Sequence, residues 1–179
     1  AKPKSPNQLR AEIIEKAKGF VEKATRYGLV DGEDGIGELV RSLHDEFYVV
    51  EFHEKKQKIT ALVTISYRNG KKKTVKPTHI GRSKCNPSEV FNEHIGKAIA
   101  LGRALGLDVS EFEGAVQPTK LVKGHIIRCN EYLCETLVHD ITPNEIKIHN
   151  GKEFYYGWRF DKGELTIIND TNAIYGEVE

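Results

Sequence analysis

Leu9, Ile13, Ala17, Phe20, Ala24 and Tyr27 recur at steps of three and four, so the chain opens with an amphipathic helix. Ser5-Pro6-Asn7-Gln8 supplies its start: a capping hydroxyl, a proline suited to the first turn and the glutamine of a capping box. Gly28 supplies its stop. After a turn over Gly32 to Gly37, the residues Ile36, Leu39, Val40 and Leu43 predict a short second helix ending near Asp45.

The period then changes to two. Phe47 to Phe52 and Ile59 to Tyr67 are rich in β-branched and aromatic residues, and the polar His53 to Gln57 joins them as a hairpin. Asn69-Gly70 predicts a second hairpin into a third strand over Lys71–Lys84, lysine-rich as an edge strand should be. Asn86-Pro87-Ser88-Glu89 repeats the cap, proline and capping-box acid. It predicts a helix with Phe91, Ile95, Ala98, Ile99, Gly102 and Leu105 on its buried side and Gly106 at its end.

Beyond a polar connector finishing at Pro118, short apolar runs at 121–128, 145–149, 153–159, 164–168 and 173–178 alternate with turn residues. Five short strands in that space predict a small SH3-like β-barrel. The expected class is therefore α+β: an N-terminal helical segment (1–46), a β-β-β-α unit with one sheet face covered (47–107) and an SH3-like β module (120–179).

Composition narrows the classes. Of 179 residues, 39% are hydrophobic and 30% charged, enough for one domain or two small ones. No apolar run approaches eighteen residues and the basic start is no signal peptide, so no membrane partner is expected. Three cysteines are too few for a disulfide scaffold and fit the cytoplasm. The net charge of +1 conceals segregation: residues 55–107 hold 12 basic side chains against 2 acidic, while both flanks are acidic, and 55–88 contains no carboxylate. Such a zone suits phosphates or an acidic protein face.

The candidate binding residues follow from that zone. Lys71, Lys72 and Lys73 beside a turn, with Arg68, Lys76, Arg82 and Lys84, would neutralise several phosphates, and Tyr67 and His79 would add stacking. The plainer alternative is a solvated, lysine-protected edge strand. His125, Cys129, Cys134 and His139 are ligand types that zinc favours, but their spacing is not that of a tight knuckle; two thiols and two imidazoles without metal is the alternative. Cys85 stands where a helix N-terminus would favour a thiolate, without an identifiable base, so a structural cysteine is the plainer reading. Of Tyr155, Tyr156, Trp158 and Phe160, some are expected to face inward as barrel core, with an exposed recognition patch of one or two as alternative. Asp161, Glu164 and Asp170 read as solvated turn carboxylates. No Walker loop, dinucleotide fingerprint or nucleophile elbow is present. No catalytic residue, metal or cofactor is assigned.

The stretch from Cys85-Asn86-Pro87-Ser88-Glu89 through Ile95-Gly96-Lys97-Ala98-Ile99-Ala100-Leu101 to Gly106 resembles a segment of small accessory proteins of phages and prophages of Gram-positive bacteria. The likeness spans about residues 58–119, and Ile167 to Tyr175 is similar less specifically. The motif is structural and carries no catalytic residue. The resemblance implies a mobile-element origin and an anti-defence, anti-CRISPR-like role. The expected function is a non-enzymatic viral inhibitor, in the cytoplasm of the host bacterium, of a host defence protein or nucleoprotein complex, bound through the basic hairpin surface. Nucleic-acid binding, a metal-dependent nuclease accessory role and a sponge for a nucleotide signal are the alternatives.

Overall fold

Ser5 and Gln8 form the reciprocal bonds of a capping box: Gln8 N–H donates to Ser5 Oγ at 3.3 Å, and Ser5 N–H to Gln8 Oε1 at 2.8 Å. Helix α1 follows over Pro6–Arg26. The computed structural model describes residues 2–26, 46–67 and 77–176. The expected helix at 36–45 and the Asn69-Gly70 turn, with Arg68, Lys71, Lys72, Lys73 and Lys76, lie outside the described residues. The buried side of α1 is Asn7, Arg10, Ile14, Ala17 and Ala24, while Leu9 is exposed. Ala17 and Ala24 of the expected stripe are thus buried, while in the first turns burial falls one residue later, on Arg10 and Ile14, where Arg10 has a buried partner.

The architecture is α+β, with two antiparallel sheets of three and five strands. The chain divides into two compact, interleaved units: Ile13–Cys85 with Glu93–Ala115, and Ala1–Glu12 with Asn86–Asn92 and Val116–Glu179.

In the first unit, β1 (Glu46–Lys55), β2 (Lys58–Tyr67) and β3 (His79–Lys84) pair in that order. The hairpin link is shorter than the sequence suggests. Only Lys56 and Gln57 turn, with φ of 50° and 59°, so that both central residues take the positive φ that suits strand twist. Helix α2 (Glu93–Leu105) covers one sheet face, burying Ile95, Ala98, Leu101 and Ala104. The sheet answers with Ile59, Ala61, Val63, Gly81 and Ser83. Gly81 is required by close approach: a Cβ there would overlap the Ala100 carbonyl oxygen and the Ala104 nitrogen. Ser83 Oγ donates to the Gly96 carbonyl at 2.8 Å.

The helix ends as the sequence predicts. Gly106 has φ 70°, and Leu107 N–H donates to the Gly102 carbonyl at 2.8 Å, a Schellman closure. Its start differs, at Glu93 and not at Pro87. Asn86 Oδ1 accepts from Ser88 N–H at 3.1 Å and Asn86 N–H reaches Glu89 Oε2 at 3.4 Å, so the capping signature closes a turn instead. Phe91 then makes an isolated parallel bridge with Asn169 and is not helical. The short helix α3 (Ser110–Glu113) presents Phe112 edge-on to Phe20, ring centroids 5.3 Å apart.

In the second unit, β4 (Ile126–Cys129), β5 (Cys134–Ile141), β6 (Glu145–Ile148), β7 (Glu153–Tyr156) and β8 (Leu165–Asn169) form one sheet in the order β7-β6-β5-β4-β8. The order is linear with β7 and β8 at opposite edges, so no closed barrel is shown. Ile127, Cys129, Val138, Ile146, Ile148, Leu165 and Ile167 make its core. Trp158–Asp161 is a helical turn, α4, rather than a continuation of β7, and Ala173–Gly176 is not a strand. Among the described residues no helix is long and apolar enough to cross a membrane.

Candidate functional site

Because α2 covers one face of the three-stranded sheet, strand alternation assigns the other side chains to a second face. The register places them in rows. Lys55 faces Lys58 and Lys58 faces Lys84; His53 faces Thr60 and Thr60 faces Arg82; Glu51 faces Leu62 and Leu62 faces Ile80; Val49 faces Thr64. No described helix covers these rows. Val49 and Ile80 are 42% and 45% exposed, and Arg82, Lys84, Lys55 and Lys58 are exposed.

Two of the predicted binding residues, Arg82 and Lys84, therefore sit at one end of this face. They are joined there by Lys55 and Lys58, and by Lys56 in the adjoining turn, which the sequence places in the basic zone without showing that they converge. Among the described residues none of the five takes part in an ion pair; the pairing on this face is His53 with Glu51, 3.9 Å apart. Tyr67 is placed elsewhere. It is the far end of β2, opposite Glu46 and nine residues from Lys58, about 30 Å away at strand rise. Tyr67 is described by its backbone only, and Arg68, Lys71, Lys72, Lys73 and Lys76 lie outside the described residues. His79, on β3, is bonded locally, its Nδ1 lying 3.1 Å from Thr78 Oγ1.

The other candidates are dispersed. Cys129 is buried in the sheet core and faces Cys134 across β4 and β5, while Cys134 is exposed with its Sγ 3.7 Å from Tyr155 Oη. His125 is spent on other bonds: its Nδ1 accepts from Val122 N–H at 3.1 Å and its Nε2 lies 3.1 Å from Tyr175 Oη. Among the described residues no three His, Cys, Asp or Glu side chains are placed to hold a metal ion. Cys85, with α2 starting eight residues later, is not at a helix N-terminus.

Asp170 overturns its reading as a solvated turn residue. It is buried and accepts four hydrogen bonds: from Arg10 Nε at 2.8 Å and Nη2 at 3.1 Å, from Asn92 Nδ2 at 2.9 Å and from Tyr175 Oη at 2.7 Å. Arg10 also donates to the Val90 and Val116 carbonyls. Burial and the nearby Asp170 charge push the Tyr175 phenol pKa up, while burial holds His125 down at about 4. Every member is hydrogen-bonded and, the half-buried Tyr175 apart, hidden from solvent, which makes the cluster a structural clasp.

The C-terminal aromatics divide between core and surface. Tyr155 and Phe160 pack against the core. Tyr156 and Trp158 are about half exposed and stack with centroids 6.2 Å apart, with Lys162 Nζ 4.8 Å over the Trp158 ring. They border an open groove of about 690 Å³ that Pro143, Ile146, Phe160 and Asp161 also line.

No protein-family model, curated protein or solved structure matches the chain.

Proposed function

We propose that this chain is a non-enzymatic binding protein that docks onto an acidic partner through the cationic end of its open sheet face. The observation that carries this is the gathering of Lys55, Lys56, Lys58, Arg82 and Lys84, without ion-pair partners among the described residues, at one end of a sheet face that no described helix covers. Cations that merely keep an edge strand soluble need not converge from three strands and a turn. An unpaired cluster on a rigid sheet, by contrast, raises the encounter rate with anions and orients them.

The biological reading joins this geometry to the phage-like segment at 85–106: a phage or prophage inhibitor acting in the host cytoplasm on a defence protein or nucleoprotein complex. Arg68, Lys71, Lys72, Lys73 and Lys76 stay candidate contacts for the same partner, while Tyr67, at the far end of β2 from Lys58, is not part of the cationic end. The five-stranded unit is read as SH3-like, supported by its short strands, the helical turn at Trp158–Asp161 and the aromatic groove beside it.

The test is a plaque assay in a host carrying such a defence system, with the chain expressed from a plasmid. Expression is expected to restore plaques. The triple variant Lys58→Glu, Arg82→Glu, Lys84→Glu, with its circular dichroism unchanged, is expected to lose that effect. Full inhibition by the folded triple variant rejects the docking surface.

A further inference from the structure

We infer that the partner surface recognised by the open face is a protein helix, carboxylated at one end and aliphatic along the rest, and not a nucleic-acid strand. This rests on the docking surface proposed above and specifies its occupant.

The rows change character along the sheet. Three lysines make the first row; His53, Thr60 and Arg82 make the second; Glu51, Leu62 and Ile80 make the third; Val49 and Thr64 follow. A polynucleotide carries phosphates at every step, so a groove for it needs cations along its whole path. Among the described residues the cations of this face stop after the second row and a carboxylate, Glu51, stands in the third. The face also lacks, among its described side chains from Val49 to Lys55 and their partners, any Phe, Tyr or Trp, and the planar groups on which a base could stack, His53 and Arg82, are confined to the second row. Val49 and Ile80 offer aliphatic surface to the same ligand that the lysines attract.

Dimensions agree with a helix. The seven residues from Val49 to Lys55 extend about 20 Å, and three strands span about 10 Å between the outer axes. A helix is about 10–12 Å across with its side chains, and about 13 residues cover 20 Å. Carboxylates in the first turn of such a helix are themselves favourable, and they would meet Lys55, Lys58 and Lys84. Aliphatic residues spaced three and four apart would then lie over Leu62, Ile80 and Val49.

Fluorescence anisotropy with the full chain decides the matter. The probes are a labelled helical peptide with three carboxylates in its first turn and leucines at positions spaced three and four apart, a single-stranded oligonucleotide and a DNA duplex. The peptide is expected to bind at least about tenfold more tightly than either nucleic acid at physiological salt. The double variant Val49→Ser, Ile80→Ser is expected to weaken the peptide by about tenfold and leave the oligonucleotides unchanged. Both replaced residues are substantially exposed, so the fold is retained; Ile80→Ser alone gives a smaller loss in the same direction.

Tighter binding of an oligonucleotide, or a peptide affinity indifferent to the serine substitutions, overturns the inference. Retention on heparin separates the two proposals. If Lys58→Glu, Arg82→Glu, Lys84→Glu abolishes it, the cationic end stands whatever the peptide does; if it changes nothing, the docking surface itself fails.

Discussion

Lowering the pH from 7.5 to 5 should destabilise the C-terminal unit through His125, a side chain with no exposed surface. Tyr175 Oη donates to Asp170, so its oxygen is left to accept from His125 Nε2–H, while His125 Nδ1 accepts from the Val122 amide. The imidazole is therefore neutral with its hydrogen on Nε2, and a second proton would displace the Val122 bond. Burial lowers its pKa from 6.5 to about 4, against the opposing pull of Asp170 and with the help of Arg10.

The folded value lies below the unfolded one, so between them the unfolded chain takes up a proton that the folded protein refuses. Stability from this group is complete above pH 6.5 and is lost as the pH falls toward 4. The gap is worth about 3 kcal/mol in full, of which about 2 kcal/mol has gone by pH 5. Urea unfolding followed by the fluorescence of Trp158, the chain's single tryptophan and part of the same unit, reads the loss as a falling midpoint. The variant His125→Asn keeps an acceptor for Val122 but cannot titrate; it should be less stable at pH 7.5 yet show a much flatter dependence. An unchanged wild-type midpoint between pH 7.5 and 5, or an equal slope in the variant, refutes the reasoning.

Arg10→Ala removes the bidentate partner of a buried carboxylate and should cost about 3–5 kcal/mol, seen as an earlier urea midpoint by the same fluorescence. Gly81→Ala forces a methyl group against the α2 backbone and should cost about 1–3 kcal/mol, read by circular dichroism at 222 nm during thermal unfolding; an unaltered transition would mean that α2 lies further from β3 than described.

The elements governed by local chemistry were legible. Ser5 and Gln8 announce a capping box, and it forms; Gly106 announces a helix end, and takes positive φ there. The same signature at Asn86 and Glu89 formed its bonds but closed a turn, because Phe91 is held instead by a bridge to Asn169. No local rule weighs a partner so distant in sequence. Lys56-Gln57 hid a two-residue turn, since neither residue advertises positive φ. Strand β5 was concealed by its own polarity: only Thr136 and Val138 are buried along it. Arg10 and Asp170, 160 residues apart, carry no pattern that joins them.

For the proposed docking face, the sequence revealed the run of cations but not which of them converge in space. The length of β2, readable only once its register was known, puts Lys58 and Tyr67 at opposite ends and lets Lys55, Lys56, Lys58, Arg82 and Lys84 gather.

The interleaving of the two units has a practical corollary for dissection. A fragment beginning at Val116 would expose Asp170 stripped of Arg10 and Asn92, both supplied from earlier stretches. Such a piece should be recovered in native form only when a peptide spanning α1 and another covering Asn86–Asn92 are supplied in trans, as in enzyme complementation, so limited proteolysis between the units would leave severed pieces still clasped together.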